Sequence, residues 1–207
     1  MHHVPNLLTT LRLVLSLAMF FALFAIGYGL SGSTAGPQHG VLLARFAFAA
    51  LVVAGVTDFF DGWLARRWRA VSLIGAILDP IADKILVCGA ILGLLAVGTP
   101  GVLIPGALIL FREFAVSALR EVLAPRGIKL PVTFLAKIKT TLQLVALAAL
   151  MFLWFWPVWG LSARADHLRT ALQAAEVLWS VAAVVTLWTG LDYAWSAWKA
   201  LKAQYAA

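Results

Sequence analysis

Apolar residues run along this chain in six long blocks, at about residues 7–29, 41–64, 73–98, 102–124, 133–156 and 168–191, separated by short stretches richer in glycine, proline and charge. Each block has the roughly 20 residues that a helix needs to cross a bilayer core of about 30 Å. Within lipid, every backbone N–H and C=O of such a segment must be satisfied inside the segment itself, so the blocks predict α-helices. The expectation is an all-α, polytopic membrane protein with six transmembrane helices, its residues 1–207 forming a single membrane domain. Small residues from Ser31 to Gly36 follow the first block in the manner of a leader cleavage region. The apolar run from Leu13 to Leu30 nevertheless exceeds the roughly 7–15 residues of a signal core, and no basic cluster precedes it, so this helix is expected to be retained.

Composition supports the same class. Hydrophobic residues make up 63% of the chain and charged ones 12%, where a soluble domain carries roughly 25% charge and a disordered chain more still. The sixteen Lys and Arg outnumber the nine Asp and Glu, giving +7, and their placement matters more than their sum. Segments Arg66–Arg69, Arg126–Lys139 and Lys199–Lys202 are basic, whereas 30–40 and 97–101 hold no charged residue and 157–167 holds only Arg164 and Asp166. The positive-inside rule puts the basic connections and both termini in the cytoplasm. On that topology Trp154, Trp156 and Trp159 mark the outer interface, and Trp63, Trp68, Trp195 and Trp198 the inner one. The tail from Trp195 to Ala207 is expected to lie along the inner surface as a short amphipathic helix. Cys88 is the single cysteine, which excludes an intrachain disulfide and reads as a packed small side chain. The basic balance does not imply nucleic acid. His2 and His3 carry no zinc-ligand spacing and are incidental.

The second and third blocks should be the most apolar part of such a chain, yet they carry Asp58, Asp61, Asp79 and Asp83. Four acids facing lipid would cost about 10–14 kcal/mol at roughly 2.5–3.5 kcal/mol each, so they face a polar interior. At about 100° per residue, Asp58 and Asp61 lie about 60° apart on one helix, and Asp79 and Asp83 about 40° apart on the next. The turn at Arg67–Ser72 makes these helices antiparallel neighbours, so the two acidic faces can meet. Four carboxylates in one space cannot all stay ionised without cations. Oxygen-only ligands point to Mg²⁺ or Mn²⁺, and carboxylates shared by two helices suit a two-metal site. Gly62 follows Asp61, and Gly75 sits one turn before Asp79, so both remove bulk where a ligand would approach the backbone. Arg66, one turn after Gly62, adds a fixed planar cation, and metals with an arginine suggest a pyrophosphate. The alternative is that the acids form structural ion pairs with Arg66, Arg67, Lys84 and Arg112, or line a cation path through a transporter or channel.

Read as DxxDGxxAR, eight residues, then GxxxDxxxD, the stretch Asp58, Asp61, Gly62, Ala65, Arg66, Gly75, Asp79, Asp83 resembles the signature of the CDP-alcohol phosphotransferases at all eight positions. The resemblance implies six transmembrane helices, a homodimer, and a cytoplasm-facing cavity that binds a CDP-linked lipid through a dimetal centre. It further implies that Asp58, Asp61, Asp79 and Asp83 hold the metals, that Asp83 also acts as base on the acceptor hydroxyl, and that Gly62, Ala65, Arg66 and Gly75 contact the CDP portion.

The flanking segments resemble the phosphatidylglycerolphosphate synthase branch of that family. They are Pro5-Asn6-Leu7-Leu8-Thr9 with Arg12, Arg112-Glu113 followed by Ser117-Ala118-Leu119-Arg120-Glu121, and Lys137-Ile138-Lys139-Thr140-Thr141. The likeness runs from about Pro5 to Val145, and no functional residue is assigned in the tryptophan-rich last third. It implies an enzyme of the plasma (inner) membrane, its active site facing the cytoplasm, that joins CDP-diacylglycerol and glycerol 3-phosphate. An anionic acceptor also follows from the charges. Arg112 lies about halfway along the fourth block, where an unpaired guanidinium is costly, and Arg120, Lys137 and Lys139 gather at the inner ends of blocks four and five. A phosphate would satisfy them. Against this stands the reading that Arg112 and Arg120 pair with Glu113 and Glu121 while the lysines serve topology. Inositol phosphate, serine and phosphatidylglycerol remain alternative acceptors. Asn6, Thr9 and Arg12 are expected to cap the first helix and to touch the nucleotide.

Overall fold

The computed structural model describes residues 3–29, 37–68, 73–128 and 134–205, and among them there is no strand. Six helices follow one another: α1 (His3–Gly27), α2 (Pro37–Trp68), α3 (Leu73–Ala96), α4 (Leu103–Leu123), α5 (Phe134–Trp154) and α6 (Ala165–Tyr205). Single 3₁₀ turns at Ala124–Arg126 and Trp156–Trp159 close α4 and follow α5. The protein is an all-α membrane protein, with spans long and apolar enough to cross a bilayer at Leu7–Gly27, Gln38–Thr57 and Ala165–Gln204. Helices α3, α4 and α5 have 24, 21 and 21 residues, also the length of a span.

Helix α1 packs against α2 and α3, and α6 against α4 and α5. Contacts of α2 with α5, and of α3 with both α4 and α5, join the two halves. The shared core is built from Met19, Leu23, Leu51, Ile91, Leu94, Ile109, Leu147, Leu150, Met151 and Trp179. Alanines 44, 47, 50, 54, 90, 146, 182 and 183 are buried among them. Small residues matter here because lipid is as apolar as leucine, so helices gain by approaching closely enough for dense packing.

The closest approach decides the site. A side chain at Gly93 of α3 would collide with Leu23 of α1, and one at Gly89 would press on Phe20 Cβ and the Ser16 carbonyl at 3.4 Å. The Gly89-x-x-x-Gly93 face therefore lets α1 and α3 run side by side in parallel, and the polar residues toward their N-terminal ends come into register. At the other end of α3 the chain reverses through a Schellman turn. Gly98 sits at φ 75° there, while the N–H groups of Thr99 and Gly98 donate to the carbonyls of Leu94 and Leu95 at 3.0 Å each.

Two expectations are corrected. The tail is not a separate surface helix, because α6 runs unbroken for 41 residues to Tyr205, about 60 Å at 1.5 Å per residue. Between Leu191 and Tyr205 there is neither proline nor glycine to interrupt it. Nor do Thr9 and Arg12 cap α1: the helix begins at His3, so both are interior residues whose side chains reach sideways to α3.

Candidate active site

Parallel packing of α1 on α3 places Arg12 against both described acids of the motif. Its guanidinium pairs with Asp83, and a second nitrogen lies 3.9 Å from Asp79. One turn earlier, Thr9 Oγ1 donates to Asp79 Oδ1 at 2.6 Å. Arg12 is 1% exposed, while the two carboxylates are 51% and 45% exposed. Thus the cation is sealed between helices and the acids look outward into open space. Pro80, between them on α3, lines that space and cannot donate to the carbonyl one turn back. Gly75, one turn before Asp79, is buried.

Asp83 opens into a cavity of about 520 Å³ between α3, α4 and α5. Its polar wall includes Lys84, Arg112, Glu113, Arg120, Lys139 and Gln143; its apolar wall includes Val87, Leu110, Phe114 and Val116. Cys88, read from sequence as a packed residue, is half-buried and also lines it. The structure therefore gathers Asp83 and three of the four basic residues singled out for an anion, Arg112, Arg120 and Lys139, around one space.

Glu113 stands among these cations. Lys139 pairs with its carboxylate, and Arg112 Nη1 donates to the same oxygen at 3.3 Å. Arg112 is held from behind by α6, Nε donating to the Thr186 carbonyl and Nη2 to Thr189 Oγ1, both at 3.1 Å. Gln143 on α5 donates to Thr186 Oγ1 at 2.7 Å and ties that turn to the opposite helix. Arg120 does not pair with Glu121 as one reading expected: its Nη2 donates to Tyr193 Oη at 2.7 Å. For Arg112 the ion-pair reading is met, though among the described residues three bonds engage three of its five N–H donors at a cavity wall.

The side chains of Asp58, Asp61, Gly62, Ala65 and Arg66 on α2, of Asn6 on α1, and of Lys137 on α5 lie outside the described residues. So does the meeting of all four acids. Among the described residues no group of three metal-ligating side chains forms, since only Asp79 and Asp83 of the motif are included. That pair still fits a hard divalent cation: two carboxylates one turn apart, half-exposed, with Arg12 against their inner side.

Four residues of α6 were not legible as functional. Thr186, Thr189, Gly190 and Tyr193 fall on one helical face, and the only local signal is that three polar groups recur at intervals of three and four in an apolar span.

The chain matches the family described as CDP-alcohol phosphatidyltransferase over residues 2–188. Three relatives carry the name CDP-diacylglycerol--glycerol-3-phosphate 3-phosphatidyltransferase. That of Escherichia coli (strain K12) is 38% identical over 195 residues, 92% of either chain. That of Rickettsia bellii is 41% identical over 152 residues, 73% of this chain and 78% of its own. That of Cereibacter sphaeroides is 43% identical over 151 residues, 71% of this chain and 62% of its own, so the present chain spans less than two thirds of that relative.

Proposed function

This chain belongs to the CDP-alcohol phosphatidyltransferase family, and from that premise we propose that it transfers the phosphatidyl group of CDP-diacylglycerol to sn-glycerol 3-phosphate, giving phosphatidylglycerophosphate and CMP. The relatives' names support this acceptor. The observation that carries it is the single cavity in which Asp83 faces Arg112, Arg120 and Lys139. A base and a set of cations within one space suit a nucleophile that is a hydroxyl at one end and a phosphate at the other. A cation transporter or channel has no use for three basic side chains beside its acids.

In this reading Arg112, Arg120, Lys137 and Lys139 hold the acceptor phosphate through charge-assisted hydrogen bonds. The C1 hydroxyl is then directed at Asp83, whose carboxylate takes the proton. The freed oxygen forms a bond to the phosphorus that bears diacylglycerol, and the bond from that phosphorus to the CMP phosphate oxygen breaks, its electron pair leaving with CMP. Gly62, Ala65, Arg66 and Gly75 contact the CDP portion, and Arg12 with Thr9 keeps the two α3 carboxylates in register. Divalent cations, two Mg²⁺ or Mn²⁺ ions held by Asp58, Asp61, Asp79 and Asp83, supply neutralisation of the pyrophosphate and of the departing CMP. We read residues 1–207 as one membrane domain of six spans, working as a homodimer in the inner membrane. By the loop charges, the active site faces the cytoplasm, where glycerol 3-phosphate enters and CMP leaves.

The test is an acceptor panel with purified protein and labelled CDP-diacylglycerol in detergent. Glycerol 3-phosphate should yield a CMP-releasing reaction, and inositol phosphate, serine and phosphatidylglycerol should not. Equal turnover with an uncharged alcohol would remove the acceptor assignment.

A further inference from the structure

Helix α6 reaches the site through its contacts with the arginines of α4 and with Gln143 of α5. Thr186 offers its carbonyl to Arg112 Nε, and Thr189 its hydroxyl to Nη2. Between them and Tyr193 lies Gly190, where an added Cβ would meet Arg112 Cγ at 2.7 Å and Nε at 3.3 Å. The missing side chain is the channel through which the arginine stem passes. The guanidinium of Arg112 then sits 5.7 Å from the centre of the Tyr193 ring. The guanidinium of Arg120 sits 4.9 Å from the centre of the same ring while donating to its hydroxyl. Tyr193 is 3% exposed. One buried ring thus lies against two cations that would otherwise repel each other, and cation–π attraction is stronger for the buried Arg112 than for the exposed Arg120.

Arginine stems are flexible and lose their value as anion ligands unless their forks are aimed. Among the described residues, the bonds to the two forks come from about two turns of α6 or from Glu113, and both arginines line the cavity that contains Asp83. We propose that Thr186-x-x-Thr189-Gly190-x-x-Tyr193 is a seat that aims Arg112 and Arg120 at the anionic acceptor. Tyr193 is its central positioning residue, governing acceptor affinity without touching the substrate. The inference rests on reading the cavity as the acceptor-phosphate site.

Steady-state kinetics of the full-length protein in detergent tests it, with KM measured separately for glycerol 3-phosphate and CDP-diacylglycerol. Tyr193→Phe keeps the ring and removes the hydroxyl, and should raise KM for glycerol 3-phosphate about three- to tenfold. Turnover and KM for CDP-diacylglycerol should stay within about twofold. Adding Tyr193→Phe to Arg120→Ala should make matters no worse than Arg120→Ala alone, because the hydroxyl acts through that side chain. Thr189→Val should weaken the acceptor in the same way, and Thr189→Ser, which keeps the hydroxyl, should restore it. Equal loss for both substrates, or wild-type acceptor KM in both Tyr193→Phe and Thr189→Val while Arg112→Ala and Arg120→Ala raise it, overturns the seat and leaves the acceptor site standing. Unchanged acceptor KM in the two arginine variants overturns the acceptor site and the seat together.

Discussion

The guanidinium of Arg12 on α1 pairs with the carboxylate of Asp83 on α3, joining residues 71 positions apart. The cation is sealed between the helices, whereas the acid opens on the cavity, so the pair fixes the acid's direction more than it stabilises the fold. A charge-assisted contact is worth about 1.5–3 kcal/mol, and half-exposure of the acid places this one toward the low end. Arg12→Lys keeps the charge but cannot span Asp79 and Asp83 with a planar fork. Its turnover should fall about tenfold with little change in thermal midpoint, and Arg12→Ala should lose more of both. Wild-type turnover in both variants would detach α1 from the active site.

Metal dependence follows from the donor set of the motif. Exhaustive chelation should abolish turnover, and Mg²⁺ or Mn²⁺ should restore it. Asp58→Asn, Asp61→Asn and Asp79→Asn should leave little activity, since an amide is a poor substitute for an anionic ligand. Asp83→Asn should lose turnover yet keep appreciable affinity for CDP-diacylglycerol, because removing a proton acceptor costs rate more than ground-state binding. Full activity after chelation and dialysis would contradict the metal assignment, and loss of nucleotide binding in Asp83→Asn would make that residue chiefly a ligand.

Truncating a basic residue of the cavity should separate the two substrates. In Arg112→Ala and Lys139→Ala the lost contact predicts a roughly ten- to hundredfold drop in kcat/KM for glycerol 3-phosphate. KM for CDP-diacylglycerol should move little, its pyrophosphate being held elsewhere. Both variants also leave Glu113 short of a partner, so a lower thermal midpoint is expected alongside. Destabilisation with unchanged acceptor kinetics would show that these residues serve packing alone.

The loop charges give a prediction about sidedness. In a Cys88→Ala background, single cysteines at Gln38 and Ser162 should react with an impermeant thiol reagent outside intact cells. Cysteines at Arg69 and Lys129 should react only after lysis. The opposite pattern would put the cavity on the far side of the membrane from glycerol 3-phosphate.

Local pattern alone determined the helices. Six apolar blocks of span length leave the backbone no other way to satisfy its polar groups in lipid, and the helices of the structure coincide with them apart from the longer α2 and α6. The acids at 79 and 83, and Arg112 in the middle of a block, also stood out from sequence, because a charge in an apolar run is conspicuous wherever the helix points. Which faces meet could not be read in the same way. A membrane helix is apolar on nearly every side, so periodicity does not say which side turns inward, and contacts between residues about 70 positions apart leave no local trace. Tertiary packing alone decided that Thr9 and Arg12 leave the end of α1 for the acids of α3, because Gly89 and Gly93 let those two helices close together. It also turned Thr186, Thr189, Gly190 and Tyr193 of the unassigned last third against the arginines of α4, since α6 crosses behind that helix and supplies hydrogen-bond partners to the buried Arg112 and to Arg120.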